Sequence, residues 1–125
     1  MLKKKSQLLL ITTALLTGIL FFQFKPKEAQ FFDTNLRITI QDDLGNVLEG
    51  ATVTLFANNE DYRSSSNPIA GPLLTDKKGR VTFKELESKV YYLYAEKGKM
   101  NNNMLGVKTE KLEEDKLNKI AIVIQ

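Results

Sequence analysis

The chain has 125 residues, no histidine, no cysteine and no tryptophan, and a formal charge of +3 at pH 7. Those absences exclude a Ser-His-Asp or Cys-His catalytic set, histidine-ligated metal, a zinc ribbon, iron–sulfur ligation, a disulfide framework and a thiol-linked lipid anchor. The length allows one domain.

Lys3, Lys4 and Lys5 precede an apolar run from Leu8 to Phe24, the layout of a secretory signal or a signal anchor. As a helix the run would span about 25 Å, short of the ~30 Å hydrocarbon core. Thr12, Thr13, Thr17, Gly18 and Gln23 dilute it further. A small-x-small cleavage site is missing, since cleavage after Ala29 puts Lys27 where a small residue belongs. Residues 1–30 are therefore read as a signal peptide or a signal anchor, with membrane contact through residues 8–24 if uncleaved. Leu15-Leu16-Thr17-Gly18 looks like the front of a lipobox, but Ile19 stands where the lipidated cysteine would be. A buried core helix is a poor alternative, because apolar residues surround the run instead of lining one face. The expected location is exported, in the periplasm or at the cell surface, or held at the inner membrane.

Removing the leader reverses the charge. Residues 31–125 carry 13 basic and 14 acidic side chains. They are interleaved, as in Glu110-Lys111-Leu112-Glu113-Glu114-Asp115-Lys116, and no nucleic-acid partner is expected.

Alternation then dominates. Leu36, Ile38 and Ile40 alternate with polar residues, the period of a half-buried strand. Asp42 to Asn46 reads as a turn, with Asp42 forming an Asx-turn and Gly45 free to take positive φ. Glu49-Gly50 bends the chain, with Gly50 and Ala51 small where strands cross closely. Ala51, Val53 and Leu55 make a second strand. Residues 58–72 form a long polar loop, and Leu73 to Thr75 a short edge strand open to β-augmentation. Asp76 to Gly79 is a tight turn, after which Val81 and Phe83 share a face and Leu86 plugs a corner. Val90 to Glu96 is strongly β-prone, with Tyr91, Leu93 and Ala95 on one face and Val90, Tyr92 and Tyr94 on the other. Lys97 to Lys99 turns, Asn101 to Asn103 suits a loop, and Met104 to Thr109 is a weaker strand. Lys111 to Leu117 has helical spacing for a single turn. Ile120 to Ile124 is apolar on both faces and should be well covered. Phe31 and Phe32 are expected to pack under the sandwich, with a place at a membrane interface as the alternative. About seven strands with turns between them predict an all-β, antiparallel Greek-key β-sandwich behind the N-terminal hydrophobic helix.

The segment Ile38–Ala57, followed by Thr75-Asp76-Lys77-Lys78-Gly79-Arg80-Val81-Thr82-Phe83, Leu86 and Tyr91 to Gly98, resembles the carboxypeptidase regulatory-like domain family. These are prealbumin-like sandwiches of bacterial envelope proteins, and the resemblance covers residues 35–125. It implies a non-enzymatic accessory, spacer or interaction module with no cofactor, and structural roles for Asp42, Gly45, Gly50, Asp76 and Gly79. Transthyretin-like purine-pathway hydrolases share the fold, but use histidines and a C-terminal Tyr-Arg-Gly-Ser that this chain lacks.

Calcium is not expected. Asp42, Asp43, Glu60, Asp61 and Asp76 include no twelve-residue loop with alternating ligands. A Lys–Asn isopeptide bond using Asn118 and Glu96 is disfavoured, since the first strand offers Arg37 outward and only apolar residues inward. Tyr62, Tyr92 and Tyr94 are the candidate contact residues for an envelope protein or glycan, because aromatic rings with polar tips suit such contacts. The competing role for Tyr92 and Tyr94 is to shield a sheet face under lysine stems. Carbohydrate or small-ligand binding is the alternative function; catalysis is not expected. A C-terminally tagged chain should fractionate with the envelope or exported material, and recovery in the soluble cytosol would refute export.

Overall fold

The computed structural model describes residues 33–125. The leader at 1–30, with Phe31 and Phe32, lies outside the described residues. Among the described residues seven strands form two sheets. They are β1 (Asn35–Gln41), β2 (Thr52–Phe56), β3 (Ala70–Leu74), β4 (Arg80–Phe83), β5 (Tyr92–Lys97), β6 (Met100–Asn101) and β7 (Leu117–Val123), with one helix, α1 (Asn59–Ser64), between β2 and β3. One sheet has the order β4-β1-β7, the other β3-β2-β5-β6. Among the described residues no helix is long and apolar enough to cross a membrane.

The alternation read from the sequence fills the space between the sheets. Leu36, Ile38 and Ile40 from β1, Val53 and Leu55 from β2, and Leu93 and Ala95 from β5 are all fully buried. Val81, Phe83, Tyr91 and Ile122 complete this layer, and Leu86 packs against it from the corner. Its N–H donates to the Thr34 carbonyl at 2.8 Å.

The turns between strands are built from carboxylates and glycines. Asp42 Oδ1 accepts from the N–H groups of Leu44 at 3.0 Å and Asn46 at 2.9 Å, and Gly45 has φ +89°. Asp76 Oδ1 accepts from Lys78 N–H at 2.8 Å and Arg80 N–H at 3.0 Å. Hydrogen bonds to the charged carboxylates, chiefly from Asn46 to Asp42 and from Arg80 to Asp76, hold both groups below the ordinary aspartate pKa. Gly79 needs its hydrogen twice over, because φ is +73° and a Cβ would lie 2.8 Å from Val47 Cβ. Gly50 is different from expectation. A Cβ there would meet nothing within 4 Å, so its φ of +80°, not close strand crossing, is what favours glycine.

Five further local readings need correction. β7 pairs with β1 in parallel, from Asn35 opposite Leu117 to Gln41 opposite Val123, so one pair departs from an antiparallel sandwich. The expected helical turn over Lys111–Leu117 is absent. Leu112 is drawn into the core, its N–H donating to the Lys89 carbonyl at 3.2 Å, and the chain turns at Glu114-Asp115 instead. β7 is an edge strand with Lys119 and Ala121 exposed, not a well-covered one. Thr75 lies outside β3 and is buried, where its Oγ1 accepts from Ala51 N–H at 2.9 Å and donates to the Leu48 carbonyl at 2.7 Å.

Met104–Thr109 forms no strand either, only a bridge between Tyr92 and Lys108. Asn102 explains why. Fully buried, its Oδ1 accepts from Ala95 N–H at 2.9 Å, and its Nδ2 donates to the carbonyls of Leu93 at 3.0 Å and Gly106 at 2.9 Å. A side-chain amide here replaces a stretch of ladder along β5. Replacing Asn102 by Ala leaves the Ala95 N–H and the Leu93 carbonyl without this partner in the interior. The expected loss is about 3 kcal/mol, read as a fall in Tm of more than about 10 °C. A Tm within 2 °C of the parent, as an approximate error margin, would contradict the assignment.

Candidate functional site

Period-2 geometry places Tyr92 and Tyr94 on the outer face of β5, since Leu93 and Ala95 point inward and are buried. That face is covered by α1, whose Tyr62 packs against both rings, and Lys108 lies opposite Tyr92 in an isolated bridge. Asn58 caps the helix, with Oδ1 accepting from Asp61 N–H at 2.8 Å and Nδ2 donating to Asp61 Oδ2 at 3.3 Å. Glu60 and Asp61 in the first turn and Arg63 in the last suit the helix dipole. Ser65, in the left-handed region at φ 54°, ends the helix, and Ser66 N–H returns to the Asp61 carbonyl at 3.0 Å. Six residues do not hold a helix alone, so packing on the sheet must supply the remainder.

Tyr62 makes that packing. Its ring centroid lies 6.0 Å from Phe56, nearly edge-on at 78°, 6.3 Å from Tyr92 and 6.5 Å from Tyr94. These separations fall within the favourable range for aromatic pairs. The structure thus brings together all three tyrosines singled out from the sequence. It adds three partners that sequence reasoning missed: Phe56, Arg63 and Asn103. The signal for the helix was present, since Asn58 stands three residues before Asp61, an N-cap spacing inside a segment read only as loop.

The polar tips are engaged. Tyr62 Oη donates to Asn103 Oδ1 at 2.8 Å, tying α1 to the loop after β6. Tyr94 Oη donates to Glu96 Oε1 at 3.0 Å. Desolvation raises the Tyr62 phenol, and desolvation followed by the hydrogen bond and charge of Glu96 raises that of Tyr94. Both phenols are therefore protonated donors at neutral pH. Between Tyr62, Arg63, Ser65, Tyr94 and Asn103 lies a shallow hollow of about 400 Å³. It offers ring faces, hydroxyls, an amide and a guanidinium, which suits stacking and hydrogen bonding. A phenol held in its protonated form is a poor nucleophile.

The calcium and isopeptide candidates do not come together as sets. Asp42 and Asp76 belong to separate turns, and among the described residues no group of three carboxylates converges to hold a metal ion. Asn118 lies on β7 and Glu96 on β5, in different sheets. Asn118 Nδ2 donates to the Asn35 carbonyl at 3.1 Å, while Glu96 accepts from Tyr94. Inward positions of β1 are Leu36, Ile38 and Ile40, so that strand brings no lysine inside.

No family model matches the chain, nor does any curated protein. Solved structures do match. A streptococcal ancillary pilin is 21% identical with a TM-score of 0.55, over 74% of this chain and 32% of that one. The pilus 2b backbone protein of group B streptococcus is 18% identical with a TM-score of 0.48, over 74% of this chain and 40% of its own. The major pilin subunit of Bacillus cereus is 16% identical with a TM-score of 0.47, over 75% of this chain and 30% of its own. This chain therefore spans well under half the length of the pilins it matches. The streptococcal ancillary pilin supports the β-sandwich fold, and the likeness does not establish the carboxypeptidase regulatory-like family.

Proposed function

We propose that this chain is an exported, non-enzymatic structural module of the cell envelope. Residues 1–30 direct its export, and residues 31–125 engage another envelope component through the Tyr62–Tyr92–Tyr94 face. The observation that carries the reading is the convergence of these three tyrosines, from α1 and β5, beside Arg63 and Asn103. Rings already packed against one another lose little side-chain entropy when a partner covers them. Tyr and Arg are also the residue types that dominate binding hot spots. The pilin likeness supports a β-sandwich suited to structural work at a surface, and the resemblance to envelope accessory domains points the same way. A role in assembly with a larger surface protein fits both.

Replacing Tyr62 and Tyr94 together by Phe keeps the rings and removes the two phenol donors. In-cell crosslinking of the tagged full chain should then lose its principal envelope adduct, while Tm falls by no more than about 15 °C, roughly the worth of the two hydrogen bonds removed. Arg63→Ala should weaken the same adduct without altering the fold. If both variants give the parent's adducts in the parent's yield, this face is not the contact surface.

A further inference from the structure

The outer face of the three-stranded sheet, on the far side of the sandwich from the tyrosines, carries charge of one sign. Alternation points Arg37 of β1, Arg80 of β4 and Lys119 of β7 outward, and every other outward position on these strands is uncharged. Lys84, exposed, directly follows β4. Pairing places Arg37 opposite Lys119, and Thr39 opposite Arg80. Neighbouring strands lie about 4.8 Å apart and alternate residues about 6.7 Å, so successive cations on this face are roughly 5–8 Å from one another. That is within the ~8 Å Debye length at physiological ionic strength.

Among the described residues no carboxylate forms a salt bridge with these groups. The two ion pairs among the described residues are Lys89–Glu87 and Lys116–Glu113, neither on this face. Asp76, beside Arg80 at the rim, accepts backbone N–H groups at Oδ1 and feels the Arg80 charge without closing a salt bridge, so Arg80 is partly compensated where Arg37 and Lys119 are not. Two cations directly opposed across β1 and β7 repel each other, and neither has a salt-bridge partner in the fold. Residues 31–125 carry a slight excess of acid, so the face is a local asymmetry and not a reflection of overall composition.

The geometry points to a binding surface for a linear polyanion without bases that bears a phosphate on each repeat. Arginine forks and lysine ammonium groups both donate hydrogen bonds to phosphate oxygens, and a flexible chain can lay successive phosphates over cations spaced this way. A bilayer fits less well. The face holds no aromatic side chain to enter the headgroup layer, and its outward apolar residues are the exposed Ala121 and the half-buried Leu117 and Val123 of β7. This surface is independent of the tyrosine face and does not rest on its role.

The test compares the full-length parent with the double variant Arg37→Thr, Lys119→Thr, using inorganic polyphosphate as the probe. The variant should bind polyphosphate at least tenfold more weakly and melt no lower than the parent, because the opposed charges are gone. Parent affinity should fall steeply with added salt, and orthophosphate should compete poorly. Arg37→Lys, which keeps the charge, should retain most of the binding and guards against a folding defect in the double variant. The charge-matched control Lys99→Thr, Lys108→Thr should bind as the parent does. Equal loss in that control, no parent binding to polyphosphate, or a defect confined to phosphatidylglycerol vesicles would each overturn the proposal, the last by making a membrane the partner.

Discussion

The sandwich depends on the pairing of its first strand with its last. β1 is the middle strand of its sheet, holding β4 on one side and β7 on the other, and its inward residues are fully buried. β7 comes from the far end of the chain, and Asn118 Nδ2 reaches the carbonyl of Asn35, 83 residues away, at 3.1 Å. Asn35 N–H donates to the Lys116 carbonyl at 3.1 Å and Ile124 N–H to the Gln41 carbonyl at 2.9 Å, which fixes the phase of the parallel ladder. Contacts between ends this distant carry a loop-closure cost before they contribute, so the fold is completed late or not at all. Beyond β7, Gln125 exchanges backbone hydrogen bonds with Asn101 of β6 at 3.1 Å, joining the two sheets at one corner.

Side-chain amides supply what short strands cannot. Asn102 takes the place of ladder beside β5, and Asn118 holds the turn that delivers β7, its Oδ1 accepting from Glu113 N–H at 2.9 Å and its Nδ2 donating to the Glu113 carbonyl at 3.1 Å. With its loops fixed this way, the domain presents two unlike outer faces. One is an aromatic cluster under a short helix, the other a sheet surface of unpaired cations. Both are built on strands whose inward residues are locked in the core, so the outward side chains are held by rigid scaffolding.

Much of the fold was legible because it is written in alternation and turn chemistry. Leu36, Ile38 and Ile40, or Tyr91, Leu93 and Ala95, declare which side of a strand is buried, and Asp42-x-x-Gly45 and Asp76-x-x-Gly79 declare the turns. Strand direction is not written that way. A period of two is the same for parallel and antiparallel neighbours, so the β1–β7 pairing could not be read from Ile120 to Ile124. Apolar residues on both sides of that strand suggested two covers, but it has one, because an edge strand can leave small Ala121 exposed without loss. The tyrosines were legible as residues and not as a cluster. Tyr62 reaches Tyr92 and Tyr94 only because α1 folds back over β5, a long-range contact that no local pattern carries. The cationic face was hidden for a similar reason, since Arg37, Arg80 and Lys119 are scattered in sequence and gathered by strand pairing.

Native-state amide hydrogen exchange, residue by residue, tests the β1–β7 closure most directly. The phase of the ladder turns the N–H groups of Arg37 and Thr39 toward β7 and those of Ile120 and Ile122 toward β1, while Lys119 and Ala121 face the open edge. The four paired amides should exchange slowest and together, as one cooperative unit, with Lys119 and Ala121 much faster. Protection of Lys119 and Ala121 equal to that of their neighbours, or exchange of Arg37 and Thr39 faster than that of β5, would contradict the account.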